Sequence, residues 1–324
     1  VQNNYDVIVV GSGAAGLYTA LNLDPKLRVL VLSKRDLLLS NSALAQGGIA
    51  AVVNTANDNV DMHLNDSLIA GGFKNNTESL KVLVNEGPKD VLNLIDLGVD
   101  FDKKEDGSYD LTLEGGHSRH RIFHHKDNTG REIVEKLLAV AMTFKNITLM
   151  EQAIVCDLKQ TSGGFSLDVL KDGEHLYLNC NYCVLATGGI GRVYEFTTNS
   201  AIATGDGITL AYNLGAKIKN LHLVQFHPTA FANKDRECFL ISESVRGEGA
   251  YLLNGNHQRF MSRYDDRLEL APRDVVSHCI MEESHKLRDN HFYLDITHKD
   301  PEFIKNRFPM IYSKLLDEGI DMTK

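Results

Sequence analysis

The chain has 324 residues, 43% of them hydrophobic, and a formal net charge of -9 at pH 7. This length and apolar content allow a large buried core and predict two domains. The acidic charge argues against a nucleic-acid partner, which needs a basic face, and no apolar run is long enough for a membrane-spanning helix.

The first predicted element is a buried strand that ends in a glycine-rich turn. The segment YDVIVVGSGAAG (5–16) joins a β-branched run to glycines at positions 11, 13 and 16, and a helical pattern follows. Gly11 permits a tight turn, Gly13 lets the backbone approach a pyrophosphate, and Gly16 lets the helix pack near the strand. The phosphates would then lie at the positive helix N-terminus. This strand–turn–helix context predicts a dinucleotide site.

The second strand is predicted over 28–32, and its end should carry an acid for the ribose hydroxyls. The sequence has Ser33, Lys34 and Arg35 there instead. Either Ser33 and Lys34 hold the ribose, or these residues are surface polar groups that follow a strand. Both interpretations stay open at this point.

The remaining elements predict an α/β domain followed by a second domain. Paired glycines in 40–53 suit a flat ligand, and helices are predicted over 77–97, ending at Gly98, and over 129–144, with Thr129 as N-cap. Alternating segments at 147–158, 164–170 and 174–186 predict a β-meander, and a helix follows from about 208 to 214. A change of composition near residue 219 separates a dinucleotide-binding domain (1–218) from a second domain (219–324).

Cysteine and histidine usage favours core and substrate-facing roles over metal binding. The cysteines number five and are scattered, which suits a reducing compartment, and the first residues enter a strand at once without a signal peptide. We therefore expect a cytoplasmic protein, with the CxxC of Cys180 and Cys183 as core thiols. The segment HSRHRIFHH (117–125) lacks acid or cysteine ligands at fitting spacing, so a basic substrate-facing strand is preferred to a metal site.

Four motifs occur in order: GSGAAG, SALAQGGIAA, ATGGIG and TGDGI. Together they resemble the succinate dehydrogenase/fumarate reductase flavoprotein superfamily. Within it, NSALAQGG, LEGGHS, QFHPT, RGEGAYL and LAPRD are most similar to the L-aspartate oxidase family, which oxidises L-aspartate to iminoaspartate in NAD biosynthesis. The resemblance implies a Rossmann-like FAD-binding domain with a β-meander plus an α+β capping domain, with FAD rather than NAD in the GSGAAG site.

The resemblance also implies how FAD is held. Ser12, Ala14 and Ala15 would contact the pyrophosphate, Lys34 would lie near the adenosine, and Asp206 would approach the ribityl–phosphate arm. The segment from Asn41 to Gly48 would line the isoalloxazine. Respiratory relatives carry a flavin-linking histidine where this sequence has Asn41, so non-covalent FAD is expected. The full predicted set is Gly11, Ser12, Gly13, Ala14, Ala15, Gly16, Ser33, Lys34, Asn41, Ser42, Ala43, Leu44, Ala45, Gln46, Gly47, Gly48, Gln152, Ala153, Gly188 and Asp206.

A dicarboxylate substrate needs convergent cations and hydrogen-bond donors. The capping segment offers Gln225, His227, Thr229, Ser242, Arg246 and Arg273. The resemblance places His227 and Ser242 on a substrate carboxylate, Arg273 beside the reacting carbons, and Glu114 on the α-ammonium, which succinate lacks. On sequence alone, Glu114 also fits a solvated loop acid, and Arg273 fits a surface residue at a helix start.

The resemblance leaves three functions to compare. The first is flavin-dependent oxidation of L-aspartate, with fumarate and succinate as further dicarboxylate ligands and quinolinate synthase as a candidate partner. The second is a soluble fumarate reductase, against which Glu114 and Asn41 count. The third is an inactive flavin-binding fragment, because superfamily members continue beyond the cap to a substrate histidine, a substrate arginine and a last flavin-binding helix. None of these motifs occurs by Lys324, so the flavin domain is expected to be incomplete.

Overall fold

The computed structural model describes residues 3–231 and 238–324. The strands in these residues are β1 (Asn4–Val10), β2 (Val29–Leu32), β3 (Ile49–Ala50), β4 (Ile122–Phe123), β5 (Ile147–Met150), β6 (Ala153–Thr161), β7 (Gly164–Lys171), β8 (Glu174–Leu185), β9 (Tyr251–Leu253) and β10 (Tyr293–Asp295). The α-helices are α1 (Ala14–Leu21), α2 (Val60–Ala70), α3 (Thr77–Asp96), α4 (Thr129–Thr143), α5 (Asp206–Asn213), α6 (Glu243–Gly247), α7 (Arg273–Leu287), α8 (Pro301–Arg307) and α9 (Pro309–Asp317).

The main sheet has the strand order β5-β2-β1-β8-β7-β6. Strands β5, β2, β1 and β8 run parallel, and β8, β7 and β6 form an antiparallel meander. A parallel strand covered on both faces needs consecutive apolar residues, and β1 has them. Val7 and Val9 pack on the side of α1, α3 and α4, whereas Ile8 and Val10 pack on the side of the meander and α5. The predicted α/β fold with a β-meander is confirmed.

The glycines of the first turn determine how closely α1 approaches the sheet. Gly11 has a φ of +118°, and a Cβ atom there would lie 2.1 Å from the carbonyl oxygen of Ala186 on the β8 side. A Cβ atom on Gly16 would lie 1.9 Å from the carbonyl oxygen of Gly11. Only glycine fits either position, so the strand end and the helix start are held together at the carboxyl edge of the sheet.

A second region, from Phe239 onward, is built from α6–α9 and the antiparallel pair of β9 and β10 around two smaller apolar clusters. It contacts the first region where the Asp127 carboxylate accepts a 2.7 Å hydrogen bond from the backbone N–H of Ile311 at the start of α9. Arg307 also donates to the carbonyl oxygen of Lys126. The predicted α+β character of the second domain is confirmed, while the division at residues 218 and 219 stays a prediction.

Several element boundaries differ from the sequence prediction. The predicted strand 147–158 is two strands, because Gln152 adopts a left-handed conformation (φ +54°) that turns the chain from the parallel sheet into the meander. Helix α4 has Asn128, not Thr129, at its N-cap, and the Thr129 hydroxyl instead accepts from the backbone N–H of His125. Helix α5 begins at Asp206, two residues earlier than predicted. Gly98, with a φ of +94°, follows α3 as expected.

The histidine-rich segment, for which a basic substrate-facing strand is predicted, forms only a short strand. Only Ile122 and Phe123 form β4, and Arg121 is buried between acidic side chains. Within the described residues, no group of three or more His, Cys, Asp or Glu side chains is arranged to hold a metal ion. None of the helices found in those same residues is long and apolar enough to cross a bilayer.

Candidate active site

A cleft opens at the carboxyl edge of the parallel strands, where β1, β2 and β8 end. Of the predicted cofactor residues it is lined by Gly11, Ser12, Gly13, Ala15, Ser33, Lys34, Asn41, Ser42, Ala153, Gly188 and Asp206. Most side chains of this set are small, and a Cβ atom on Gly188 would meet no atom of the described residues within 4 Å. Backbone is therefore accessible to a ligand along this wall.

The first helix presents its positive end to the cleft. The backbone N–H of Ala14 donates to Ser42 Oγ over 3.1 Å, which ties the glycine turn to the 40–48 segment. Ser12 Oγ lies 3.0 Å from Ser33 Oγ, and both side chains are buried. This end of the cleft thus combines hydroxyl groups with a helix N-terminus, the combination that suits phosphate groups.

Lys34 supplies the cation beside the cleft. Its Nζ atom lies 2.7 Å from both Thr204 Oγ1 and Asp206 Oδ2, and Asp206 is the first residue of α5. Burial alone would raise the pKa of Asp206, but the hydrogen bonds from Lys34 and Thr204 bring that pKa below its usual value. The pair links β2 to α5 across the cleft with Asp206 ionised at neutral pH.

The segment from Asn41 to Gly48 is held by contacts on three sides. Asn41 Nδ2 donates to Asn199 Oδ1 over 2.7 Å, and Asn41 Oδ1 accepts from the backbone N–H of Ser200 over 2.8 Å. The backbone N–H of Gly130 donates to the carbonyl oxygen of Ala45 over 2.9 Å, and the buried Gln46 donates to the carbonyl oxygen of Leu240 over 2.6 Å. The segment therefore joins the cleft to the second region.

Several predicted cofactor residues lie outside the cleft lining. Gly16 packs against Gly11. Gln152 is directed to Asp36, with 2.7 Å between Gln152 Nε2 and Asp36 Oδ1. The others in this group are Ala14, Ala43, Leu44, Ala45, Gln46, Gly47 and Gly48, of which the last two lie against Glu114 or the strand that follows it. Their roles toward a cofactor stay predictions.

Glu114 is buried at the far end of this segment. Its Oε1 atom accepts a 3.3 Å hydrogen bond from the backbone N–H of Gly48, and the side chain is 8% exposed. Burial, followed by the nearby charge of Glu243, raises the pKa of the Glu114 carboxyl. A buried carboxylate with a single long hydrogen bond from the described residues suits a cationic partner that a ligand brings.

Glu243, which is not among the predicted site residues, joins two of the predicted arginines. Its Oε1 accepts from Arg246 Nη2 over 3.0 Å and its Oε2 accepts from Arg273 Nε over 2.5 Å. Arg246 and Glu243 are both buried. The signal that could have found Glu243 is its position one residue after Ser242 and three before Arg246, which places it on the same helical turn.

The other predicted substrate residues surround this cluster. Gln225 Oε1 accepts from Arg273 Nη1 over 2.8 Å. His227 Nδ1 accepts from the backbone N–H of Thr229, and burial, followed by the charges of Arg273 and Arg246, lowers the pKa of His227 to about 3. His227 is therefore neutral at ordinary pH, and its proton lies on Nε2. Ser242 caps α6 and is buried.

These two groups of residues are continuous with one another. Gly48 connects the cleft segment to Glu114, and a Cβ atom on Gly115 would lie 2.3 Å from Glu243 Oε1. The residues fit FAD because the open glycine wall, the helix N-terminus and Lys34 suit a dinucleotide, and the chain from Asn41 to Gly48 leads from there to the charged cluster. A ligand that follows this path would bring its reactive end to Glu114 and Arg273.

Comparison with protein families gives one match that spans nearly the whole chain. Residues 6–324 match the family described as FAD binding domain. L-aspartate oxidase of Clostridium perfringens is 44% identical over 98% of this chain and 71% of its own length. L-aspartate oxidase of Acinetobacter baylyi is 40% identical over 99% of this chain and 61% of its own length.

Solved structures agree with the sequence matches. A quinol fumarate reductase of E. coli superposes with a TM-score of 0.91 at 28% identity, covering 98% of this chain and 58% of that chain. A flavocytochrome c3 fumarate reductase in an open conformation gives a TM-score of 0.70 at 27% identity, covering 87% of this chain and 51% of that chain. The predicted Rossmann-like FAD-binding fold is thereby confirmed.

The chain matches only part of the length of each relative. The chain spans 71% of the C. perfringens relative and 52% of the chloroplastic L-aspartate oxidase of Arabidopsis thaliana, to which it is 40% identical over 99% of its own length. Family and cofactor type are shown at these identities. The chain belongs to the L-aspartate oxidase family of FAD-binding flavoproteins.

Proposed function

We propose that the complete protein oxidises L-aspartate to iminoaspartate with non-covalently bound FAD, as the first step of NAD biosynthesis. The observation that carries the proposal is the position of Glu114. This buried acid accepts a long hydrogen bond from Gly48 and lies beside a cluster that contains Arg246 and Arg273. Guanidinium groups match carboxylates, and a buried carboxylate matches an ammonium group. L-Aspartate has both kinds of group.

Different residues of the cluster bind different groups of the substrate. Arg273 and neutral His227 offer N–H donors to the substrate carboxylates, and Ser242 offers a hydroxyl close to α6. Glu114 accepts from the α-ammonium and thereby orients the Cα–H bond. FAD, when bound, supplies the acceptor for the hydride that leaves this carbon. The chain's own contribution is orientation and exclusion of water from the reacting carbon.

We assign proton movement to Glu114 rather than to a guanidinium. Arginine stays protonated at ordinary pH, so Arg273 is a poor base. The pKa of Glu114 is raised by burial and by Glu243, which brings a carboxylate closer to the range useful for proton transfer. We infer that Glu114 takes a proton from the α-ammonium before the hydride leaves, so that the amine lone pair can assist its departure.

A Glu114→Gln variant tests this proposal. The KM for L-aspartate should rise by a factor equivalent to about 2–5 kcal/mol, because one buried charge-assisted contact is lost. The inhibition constant of succinate, which has no ammonium group, should change little. Equal weakening of both ligands would show that Glu114 has a structural role, and absence of aspartate oxidation by the wild-type protein would refute the function itself.

Fumarate reduction is a second candidate activity, favoured by the superposition on a quinol fumarate reductase. Arg273 suits this direction better than the oxidation, since its guanidinium is always protonated and so carries the proton that the carbon opposite the hydride must receive. Fumarate and succinate present the same two carboxylates as L-aspartate. The proposal therefore includes fumarate as an alternative electron acceptor.

Two finer proposals follow from the activity. The product is an imine, which hydrolyses in water, so an enzyme that consumes it benefits from being close. Quinolinate synthase is proposed as that partner, and the cytoplasm as the location. Co-purification of the two proteins from cell extract tests the partnership. Recovery of both proteins together is the expected result, and separation of the two proteins on dilution of the extract is the opposing one.

A further inference from the structure

A buried ionic cluster lies beneath the turn that carries Glu114. Arg121 is 1% exposed. Its Nε atom donates to Asp58 Oδ2 and its Nη2 atom donates to Asp58 Oδ1, both over 2.8 Å. Its Nη1 atom donates over 2.6 Å to Asp66 Oδ2. Two carboxylates and one guanidinium leave one net negative charge, and burying these ions costs desolvation free energy.

The second carboxylate has a further task, which is to hold the turn. Asp66 Oδ2 also accepts from the backbone N–H of Ser118 over 2.9 Å and from the Ser118 hydroxyl over 2.8 Å. Asp66 lies on α2, where it is buried. Helix α2 is thereby connected to the end of the 114–118 turn.

Arg121 holds the neighbouring residue of the same turn. Its Nη1 atom lies 3.1 Å from His117 Nδ1, and because arginine has only donors, His117 Nδ1 must be the acceptor. Burial, followed by the charge of Arg121, lowers the pKa of His117, in agreement with a neutral ring. Two consecutive side chains are therefore fixed from below.

The turn itself has little freedom between these contacts and Glu114. The backbone N–H of His117 donates to the carbonyl oxygen of Glu114 over 3.2 Å, and Gly116 has a φ of +82°. On the other side, a Cβ atom on Gly247 would lie 2.3 Å from the carbonyl oxygen of Leu113. A shift at Ser118 would thus be transmitted over four residues to the Glu114 carboxylate.

We propose that Asp66, Arg121 and Ser118 are positioning residues that select an amino-dicarboxylate by fixing the Glu114 carboxylate. The proposal rests on the proposed function, because it assigns the ammonium group to Glu114. Asp66, Arg121 and Ser118 touch neither the carboxylate-binding arginines nor the predicted flavin path in the contacts described above, although Gly115 of the same turn lies against Glu243. Their effect should therefore be larger for ligands that carry an ammonium group than for ligands that lack one.

The test is a Ser118→Ala variant of the complete FAD-loaded protein. The kcat/KM for L-aspartate should fall about tenfold, the loss expected for one hydrogen bond to a carboxylate. The inhibition constant of succinate should stay within about twofold. Ser108→Ala is the matched control, because Ser108 makes the same pair of contacts, backbone and hydroxyl, to the exposed Asp106. It should leave both constants unchanged.

A double-mutant cycle separates positioning from general support of the fold. In a Glu114→Gln background, Ser118→Ala should change kcat/KM for L-aspartate by less than about twofold, because its route of action is already removed. An Asp66→Asn variant should give the same aspartate-selective pattern as Ser118→Ala.

Each other outcome overturns the inference. If Ser118→Ala weakens L-aspartate and succinate equally, or lowers kcat/KM for L-aspartate by the same factor in the wild-type and in the Glu114→Gln background, Ser118 has only a structural role. If the variant leaves kcat/KM unchanged, Ser118 has no role in selecting the ligand. If the wild-type protein oxidises no L-aspartate, the proposed function fails and this inference fails with it. That result is distinguishable, because it appears before any variant is made.

Discussion

Glu243 and Arg273 lie 2.5 Å apart, Oε2 to Nε, and the second oxygen of Glu243 holds Arg246 at 3.0 Å. One carboxylate therefore fixes two guanidinium groups, of which Arg246 is buried and Arg273 is partly open to the site. The arrangement leaves Arg273 oriented before any substrate arrives. Preorganised charge of this kind reduces the reorganisation needed during reaction.

Glu243→Gln should be costly for both stability and turnover. Arg246 would remain buried without an anionic partner, and breaking a buried pair in this way costs on the order of 3–5 kcal/mol. Urea unfolding measures this loss. The control is Glu302→Gln, which breaks the exposed pair with Lys305 and should cost less than about 1 kcal/mol. Similar stabilities for the two variants would contradict the role given to Glu243.

Alanine should be harmful at Gly16, where it weakens FAD binding, and favourable at Gly87, where it raises the free energy of unfolding. A Cβ atom on Gly16 would lie 1.9 Å from a backbone oxygen, whereas one on Gly87, inside α3, would meet no atom within 4 Å. Gly16→Ala should displace α1 and weaken FAD binding. Gly87→Ala should raise the free energy of unfolding by up to about 1 kcal/mol, because alanine favours the helix. Flavin fluorescence titration and urea unfolding measure the two effects, and normal FAD affinity of Gly16→Ala would count against the predicted turn.

FAD should be released completely by acid precipitation. Asn41 stands where respiratory relatives have a linking histidine, and its amide is occupied by Asn199 and the backbone of Ser200. An amide is no nucleophile toward the flavin ring. All yellow colour of the complete protein should appear in the supernatant, and colour retained in the washed pellet would show a covalent bond that this account excludes.

Acid should destabilise the protein partly through His63. Burial, followed by the charges of Arg121 and His117, lowers the pKa of His63 to about 4, from an ordinary value of 6.5, although Asp58 and Asp66 oppose the shift. Between these values the unfolded chain binds a proton that the folded chain refuses, so the free energy of unfolding falls as the pH falls from 6.5 to about 4.

A His63→Asn variant isolates this contribution. Its free energy of unfolding should depend less steeply on pH than that of the wild-type protein between 6.5 and about 4. Above that window both proteins carry a neutral side chain here, and the slopes should agree. Urea unfolding at a series of pH values measures them. Parallel curves through the acid range would mean that His63 titrates normally in the folded protein.

The sequence predicted what local chemistry determines. The turn from Val10 to Gly16 was readable because glycine spacing, a buried strand and a helix start all agree within a few residues. The break between β5 and β6 was not, since it depends on a left-handed conformation at Gln152, a residue with no local signal for it. The N-cap of α4 was not readable either. Thr129 is a common N-cap residue, but its hydroxyl accepts from the backbone N–H of His125 in the preceding loop, and Asn128 occupies the N-cap position.

The candidate site was readable only in part. Arg246, Arg273 and Glu114 stand in motifs that resemble a family, but Glu243 becomes visible only when α6 and α7 are brought together. The pairing of Arg121 with Asp58 and Asp66 spans more than fifty residues of sequence and lies in the segment for which a basic substrate-facing strand is predicted. Long-range ion pairs of this kind leave no periodic pattern in the chain.

The central claim is that this site delivers a hydride from L-aspartate to FAD. The most direct measurement is an anaerobic titration of the complete FAD-loaded protein with L-aspartate, followed by the absorbance of the oxidised flavin. L-Aspartate should bleach that absorbance, and ammonia should be released as the imine hydrolyses. An oxidised flavin spectrum that persists in saturating L-aspartate, while a chemical reductant bleaches it, would show that no hydride is transferred from L-aspartate.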